Sequence, residues 1–137
     1  MTTEDKRLDR TVTEVIGNTA TYTESEIKHE DAELDDHDHA LIMETLDRDI
    51  ILPLRRDLFT RQAISLTGER KCCIVGVQVL VRDYIHVISW LRSSDIQKYR
   101  AMDLALLYEI GDTVRRELGM DKQIMAHVYT SSLHETA

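Results

Sequence analysis

The chain has 137 residues, the length of one domain, and its 25 acidic and 17 basic side chains give a net charge of -8 at pH 7. Because this charge repels phosphate backbones and anionic lipid heads, nucleic acid and membranes are not expected as partners. The sequence has no signal-like N-terminal segment and no run of about 18 or more apolar residues, so we expect a cytoplasmic protein. Cys72 and Cys73 are adjacent, where a disulfide would be strained, and both are expected to be thiols.

The first half of the chain predicts strands, an acidic loop and a helix. Residues 11–23 are rich in β-branched side chains and indicate one or two strands, with a break at Gly17 and Asn18. Residues 24–38 carry eight acidic side chains and one lysine, which favours a solvated loop. Helical spacing follows, and Pro53 is expected to kink or restart the helix. The apolar residues with this spacing are Leu41, Ile42, Leu46, Ile50, Leu54 and Leu58.

The second half predicts three strands, a long helix and a final strand. The strands lie around Ala63, at residues 72–81 and at residues 84–91, the last two forming a hairpin. A helix is expected over residues 101–118 with Gly119 as its C-terminal stop, and residues 123–131 form the last strand. These elements predict a single α/β or α+β domain over residues 1–137, with a mixed sheet covered by two main helices.

Two groups of side chains could carry chemistry. His29, His37 and His39 lie among carboxylates and superficially resemble a metal site, but side chains two apart diverge at a helix start, so no metal is predicted. A cysteine in a strand, such as Cys73, is most often a small buried side chain. It could instead be a nucleophile if a guanidinium lowers its pKa, and the candidate guanidinium groups belong to Arg10, Arg61 and Arg92.

The segment from residue 92 to residue 103 has two interpretations. Ser93, Ser94 and Asp95 are common turn residues, so this could be a surface turn. The alternative is a binding segment, and it depends on features that occur in a fixed order along residues 60–129. These features are Cys73 five positions before Gln78, the Arg92-Ser93-x-Asp95 motif, Asp103 eight residues beyond it, and the pair His127-x-Tyr129.

With these motifs the chain resembles the thymidylate synthase and pyrimidine hydroxymethylase superfamily. The resemblance implies that the Cys73 thiolate attacks C6 of a pyrimidine nucleotide, and that Arg92 and Ser93 bind its phosphate. Family members are dimers in which arginines of the partner complete the phosphate site, a role implied for Arg61, and Arg10 resembles another phosphate-binding arginine. The other substrate-binding residues implied are Gln78, Asp95, Asp103, His127 and Tyr129.

Asp103 occupies the position that reads the pyrimidine base in this family. Asparagine is common there and suits uracil, whereas a protonated aspartic acid could donate to N3 of cytosine and accept from its amino group. The resemblance therefore favours a cytosine nucleotide. The other interpretation is that Asp103 caps the helix that starts near Met102.

The sequence also departs from the family. Lys98 to Ala101 replace the usual Gly-x-Pro, the C-terminal lobe that closes over folate is expected to be missing, and Glu30, Glu33 and Glu44 are the candidates for the acid-base glutamate. The prediction is a C5 one-carbon transferase that acts on a pyrimidine nucleoside monophosphate with 5,10-methylenetetrahydrofolate as cofactor. The product would be a 5-methyl or a 5-hydroxymethyl pyrimidine. The alternatives are a noncatalytic nucleotide-binding or interaction module and, third, a small metal-dependent enzyme built on the histidine cluster.

Overall fold

The computed structural model of the chain describes residues 18–28, 40, 43–66, 74–95 and 100–134. The strands are β1 (Asn18–Thr23), β2 (Ile64–Leu66), β3 (Ile74–Val81), β4 (Ile85–Asp95) and β5 (Ile124–His134). The helices are α1 (Glu24–Lys28), α2 (Leu52–Arg56) and α3 (Arg100–Glu117). Residues 43–46 are also helical, and a π-helical turn at Asp47–Ile51 joins them to α2.

The strands form one five-stranded sheet in the order β1-β5-β4-β3-β2. β4 and β5 are parallel, whereas β1 with β5, β3 with β4, and β2 with β3 are antiparallel. A short turn at residues 82–84 joins β3 to β4, as the predicted hairpin requires. The mixed sheet predicted from the sequence is confirmed, and β1 and β2 are its edges.

Alternation of buried and exposed side chains divides the sheet into two faces. In β4, Ile85, Val87 and Leu91 are buried, while Trp90 is 37% exposed. The buried face packs against α3 and the helical segment of residues 43–56, since their apolar side chains share one core cluster. Among the helices in the described ranges, none packs against the other face.

We call this second face the open face. It is defined by the side chains that share the register of Trp90 across the five strands. These side chains are Thr19, Thr21, Thr23, Ile64, Leu66, Gln78, Leu80, His86, Ile88, Trp90, Arg92, Met125, His127 and Tyr129.

The helix α3 connects the two parallel strands and covers the buried face. Leu104, Leu107 and Ile110 are buried on the side of α3 that faces the sheet. A Cβ atom added at Gly111 would lie 2.8 Å from Cγ2 of Ile124, so the glycine allows the helix to approach β5 closely. The helix ends as predicted at Gly119, which has a φ of 61°, and the N–H of Met120 donates to the carbonyl of Arg115 at 3.0 Å.

The side chain of Arg115 joins three elements at the far end of α3. Its Nη1 donates to Oε1 of Glu24 in α1 at 3.0 Å, and its Nη2 donates to Oδ1 of Asp112 at 2.8 Å. Oε2 of Glu24 accepts from the N–H of Ile124, the first residue of β5, at 3.3 Å. Because these side chains are mostly shielded from water, the contacts fix α1 and the start of β5 against α3.

A second polar group ties the π-helical turn to β2. The Ser65 hydroxyl donates to Oδ2 of Asp49 at 3.1 Å, and Oγ1 of Thr45 lies 3.2 Å from Oγ of Ser65. Since the Ser65 proton is used on Asp49, Thr45 is the donor in the second contact. Pro53 lies within a helical segment that runs without a break from residue 43 to residue 56, since Ile51 and Leu52 both have αR backbone angles. The predicted restart of the helix at Pro53 is therefore wrong, and a kink there stays a prediction.

Two further predictions from the sequence are wrong in part. The acidic segment does not begin as a loop, because Glu24–Lys28 is helical and buries Ile27 in the core, while residues 29–38 lie outside the described residues. Residues 92–95 are not a surface turn, because they continue β4 and pair with β5, with Ser93 opposite Ser132 and Asp95 opposite His134.

In the described ranges, no helix is both long enough and apolar enough to cross a bilayer.

The close approach at Gly111 gives a stability prediction. Gly111→Ala places a Cβ against Ile124, so we expect the free energy of unfolding to fall by about 1–2 kcal/mol, because overpacking outweighs the better helix propensity of alanine. In an Ile124→Ala background the clash is gone, and Gly111→Ala should be neutral or stabilising. Urea unfolding of the four proteins in this double-mutant cycle measures the coupling. Equal effects of Gly111→Ala in both backgrounds would contradict the close approach.

Candidate functional site

The structure places several of the predicted site residues on the open face. Gln78 of β3 is opposite Ile88 of β4, which is opposite His127 of β5, which in turn is opposite Thr21 of β1. One row of side chains therefore crosses four strands, with a strand spacing of about 4.8 Å.

A neighbouring row contains the large aromatic side chains. Trp90 of β4 is opposite Tyr129 of β5, and Gly76 of β3 is opposite both Trp90 and Leu66. A Cβ at Gly76 would lie 3.1 Å from Leu66 Cδ2 and 3.5 Å from Trp90 Cε3. Leu66 and Trp90 thus pack over the glycine, and they remain 73% and 37% exposed. They form an apolar patch on the β2, β3 and β4 part of the open face.

Arg92 lies at the end of the same face. It follows Trp90 by two residues in β4, so its side chain is on the open face, and it is exposed. Tyr129 and His127 are about 6.6 Å apart along β5, and Arg92 lies on the neighbouring strand β4, two residues beyond Trp90, which is opposite Tyr129. A cationic group, a phenol and an imidazole therefore lie on the same face of two adjacent parallel strands.

Arg61 lies beside this face in the segment between α2 and β2. Nε2 of Gln78 donates to the Arg61 carbonyl at 2.7 Å, and the Arg61 side chain is exposed. In this structure Gln78 therefore supports the backbone of the segment that carries Arg61.

Two histidines on neighbouring strands of the open face are within hydrogen-bond distance. Nδ1 of His86 and Nε2 of His127 are 2.7 Å apart, and Nδ1 of His127 is 3.1 Å from Oγ1 of Thr21. The imidazole centroids are 5.0 Å apart, with 20° between the ring planes, and the Tyr84 ring is T-shaped to His86, with 6.0 Å between their centroids. The result is a chain of polar contacts that crosses β4, β5 and β1.

The surroundings of both imidazoles favour the neutral form. Burial lowers the pKa of His86, the positive charge of Arg82 lowers it further, and Asp83 partly opposes this. Burial and the neighbouring His86 lower the pKa of His127. Both rings are therefore neutral at neutral pH, where one nitrogen of each ring donates and the other accepts.

A depression of about 320 Å³ lies beside this pair on the β1, β5 and β4 part of the open face. It is bordered by Thr19, Thr21, Ile88, His127 and Tyr129. Hydroxyl and imidazole groups at its wall can exchange hydrogen bonds with a polar ligand, and Ile88 offers an apolar contact. Its volume is at the small end of the range for ligand sites, about 300–1,000 Å³.

Asp103 is not brought to the open face. It lies in the first turn of α3, which covers the opposite face of the sheet, and its side chain is partly exposed. An acidic residue in the first turn interacts favourably with the helix dipole. The sheet therefore separates Asp103 from His127 and Tyr129.

Other predicted site residues are described only in part or not at all. Ser93 and Asp95 lie in β4 by their backbone. Cys73, Arg10, the histidine cluster at residues 29–39 and the glutamates at positions 30 and 33 lie outside the described residues, whereas Glu44 is helical and exposed. Ile74, which is bonded to Cys73, is opposite Leu91, which is bonded to Arg92.

Sequence reasoning missed His86 and Thr21. Alternation in β4 places His86 on the same face as Ile88 and Trp90, and this signal was present in the sequence. The contact with His127 depends on the register of β4 against β5, which are joined through α3, and no local pattern fixes that register.

No known family profile matches the sequence, and no curated protein matches it. Among solved structures, the chain is similar to thymidylate synthase from T4 phage, with a TM-score of 0.50 and 17% sequence identity. The similarity covers 66% of this chain and 34% of the phage enzyme. It supports a thymidylate-synthase-like fold, consistent with the mixed five-stranded sheet.

Proposed function

We propose that this protein binds a pyrimidine nucleoside monophosphate on the open face, with the phosphate at Arg92 and the sugar at Tyr129 and His127. The observation that carries the proposal is that these three side chains lie on the same face of two adjacent parallel strands, with His127 and Tyr129 bordering the depression of about 320 Å³. Arginine suits a phosphate because its planar fork donates two hydrogen bonds with a permanent charge.

The position of Arg92 on the sheet supports this assignment. In open α/β sheets, ligands bind beyond the carboxyl ends of parallel strands. β4 and β5 are the parallel pair here, and Arg92 lies near the carboxyl end of β4. The fold therefore presents its cationic group where a phosphate site is expected.

The catalytic part of the proposal assigns the nucleophile to Cys73. In this proposal the Cys73 thiolate forms a bond to C6 of the pyrimidine and the electron pair of the C5–C6 double bond moves to C5, which becomes nucleophilic. Once this electron pair on C5 has formed a bond to a one-carbon electrophile, C5 loses its proton and the sulfur leaves as thiolate, which restores the C5–C6 double bond. The support is topological, since Ile74 and Leu91 are paired and are bonded to Cys73 and Arg92 respectively.

The one-carbon donor in this proposal is 5,10-methylenetetrahydrofolate. The depression of about 320 Å³ is by itself at the small end of ligand sites, and none of the described residues is assigned to the cofactor. We therefore derive no step through the cofactor from these residues. Selection of a cytosine base by Asp103 likewise stays a prediction from the sequence.

A noncatalytic nucleotide-binding module is the alternative function. It is favoured by the position of Asp103, which lies on the helix that covers the opposite face of the sheet from His127 and Tyr129. In that case the open face and Arg92 would still bind the nucleotide, while Cys73 would have no covalent role.

A second copy of the chain is the proposed partner of the apolar patch. Leu66 and Trp90 pack over Gly76 and stay exposed, and Ile64 is 40% exposed in the same strand as Leu66. Contiguous exposed apolar side chains are typical of protein interfaces. Since the patch is next to the Arg92 end of the face, a second copy there could bring its Arg61 to the phosphate.

Phosphate recognition can be tested at Arg92. Arg92→Ala should weaken dCMP binding by about 1.5–3 kcal/mol, because one charge-assisted contact is lost, and Arg92→Lys should also bind less tightly. Isothermal titration calorimetry with dCMP, dUMP and the corresponding nucleosides measures this. Arg116→Ala is the control, because Arg116 is also exposed but lies at the end of α3. Equal affinity of the wild type for nucleotide and nucleoside would contradict the phosphate assignment.

The nucleophile can be tested with 5-fluoropyrimidine nucleotides, with and without methylenetetrahydrofolate. We expect mass spectrometry to find a covalent nucleotide adduct at Cys73, because fluorine at C5 blocks the proton loss that would release the sulfur. Cys72→Ser should keep the adduct and Cys73→Ser should abolish it. Noncovalent binding of the nucleotide without any adduct would favour the noncatalytic module.

Self-association can be tested at Leu66. Leu66→Lys places a charge in the apolar patch, so we expect sedimentation velocity to show at least about tenfold weaker dimerisation, equivalent to roughly 1.4 kcal/mol. Phe59→Lys is the matched control, because Phe59 is 65% exposed but lies in the segment between α2 and β2. A wild-type protein that stays monomeric at high concentration would exclude this interface.

A further inference from the structure

We infer that His86 is a positioning residue that fixes the ring orientation of His127 in the nucleotide site and leaves Nδ1 as the nitrogen open to a ligand. The inference rests on the proposed function for the identity of the ligand, but not for the contact between the two rings. Neither composition nor the motifs of the sequence assign a role to His86.

The geometry indicates a shared proton rather than ring stacking. The centroid separation of 5.0 Å exceeds the nitrogen separation of 2.7 Å by about the width of one imidazole ring. The two rings are also within 20° of coplanar, so they meet end to end. In this arrangement Nδ1 of His86 and Nε2 of His127 are aimed at each other, which is the arrangement of a hydrogen bond and leaves no place for a bridging metal ion.

Only one proton fits between the two nitrogens. Either His86 donates to His127, whose Nδ1–H then donates to Thr21, or His127 donates to His86 and its Nδ1 accepts from Thr21. In both arrangements Nε2 of His127 is hydrogen-bonded to Nδ1 of His86. The nitrogen left to a ligand is Nδ1, which faces Thr21 at the wall of the depression.

This restriction defines what His127 can recognise. Thr21 is exposed, so a ligand hydroxyl can take its place at Nδ1 of His127. A hydroxyl both donates and accepts, so it suits either tautomer. A sugar hydroxyl of the proposed nucleotide is therefore the group that the fixed imidazole recognises.

The residues around His86 on the open face will also surround any side chain that replaces it in a variant. Leu80 and Met125 are opposite His86 on the two adjacent strands, and Tyr84 contacts its ring edge. The charged groups that act on His86 are Arg82 and Asp83 of the β3–β4 turn. Within the described ranges, none of these neighbours makes a hydrogen bond to Nε2 of His127, whose partner is His86.

Nitrogen-15 NMR of the histidine side chains tests the inference. In the wild type we expect the nitrogen-15 shift of His127 Nε2 to be that of a hydrogen-bonded nitrogen. In His86→Leu, which replaces the imidazole by an apolar side chain of similar size, we expect this shift to change because the partner nitrogen is lost. His86→Asn places an amide near the former Nδ1 and should restore most of the wild-type shift. Tyr84→Leu is the matched control, because it removes a ring contact to His86 but leaves the nitrogen contact intact.

Nucleotide affinity supplies the second readout. We expect His86→Leu to weaken dCMP binding about tenfold, the effect of one lost hydrogen bond, and His86→Asn to recover most of it. If His86→Leu does not fold, His86→Gln serves instead, because its amide cannot reach the former Nδ1 position. Unchanged nitrogen-15 shifts of His127 in a folded His86→Leu protein would overturn the inference. A hydrogen-bonded Nε2 of His127 in a wild type that binds no nucleotide would support the positioning of His127 and would refute the proposed function.

Discussion

The parallel pairing of β4 with β5 is the constraint on which the rest of the structure depends. Parallel neighbours cannot be joined by a hairpin, so the chain has to return along one face of the sheet, and α3 makes that return. The helix α3 therefore covers one face of the sheet with apolar side chains, and among the described elements no helix covers the open face. Gly111 lets α3 pack closely on the sheet, because a residue without a Cβ can lie against the side chain of Ile124. The location of a candidate site on the open face is thus a consequence of strand direction.

Polar contacts hold the ends of this arrangement in register. Arg115 joins α1 and the start of β5 to α3, while Asp49 and Ser65 join the helical segment to β2 at the opposite edge of the sheet. A partly buried charge-assisted bond is stronger than an exposed ion pair, because water competes less for its groups. The edge strand β2 and the interior strand β5 are therefore fixed to the helical layer, and α1, which follows the other edge strand β1, is fixed with them. None of these contacts lies on the open face.

The sequence predicts the types of most elements because local patterns determine them. Alternating apolar residues in β3 and β4, helical spacing in α3 and the stop at Gly119 each depend on a few neighbouring residues. The short helix α1 was missed because a single apolar residue, Ile27, anchors it within an acidic stretch. The extension of β4 through Asp95 was missed because polar side chains there pair with β5 by backbone bonds. In the candidate site, Arg92, His127 and Tyr129 could be identified from motifs, whereas the contact of His86 with His127 requires a register set by a long connection.

The π-helical turn at Asp47–Ile51 explains how two adjacent isoleucines, Ile50 and Ile51, both reach the core. A π turn holds one more residue than an α turn, so it advances the helix surface without breaking the helix. Compared with a regular α-helix, this turn contains one additional residue. A chain shortened by one residue here could keep a continuous α-helix. Asp49 would then rotate away from Ser65, and the hydrogen bond between the π-helical turn and β2 would be lost. The length of this segment, and not only its composition, is thus part of what the sequence encodes.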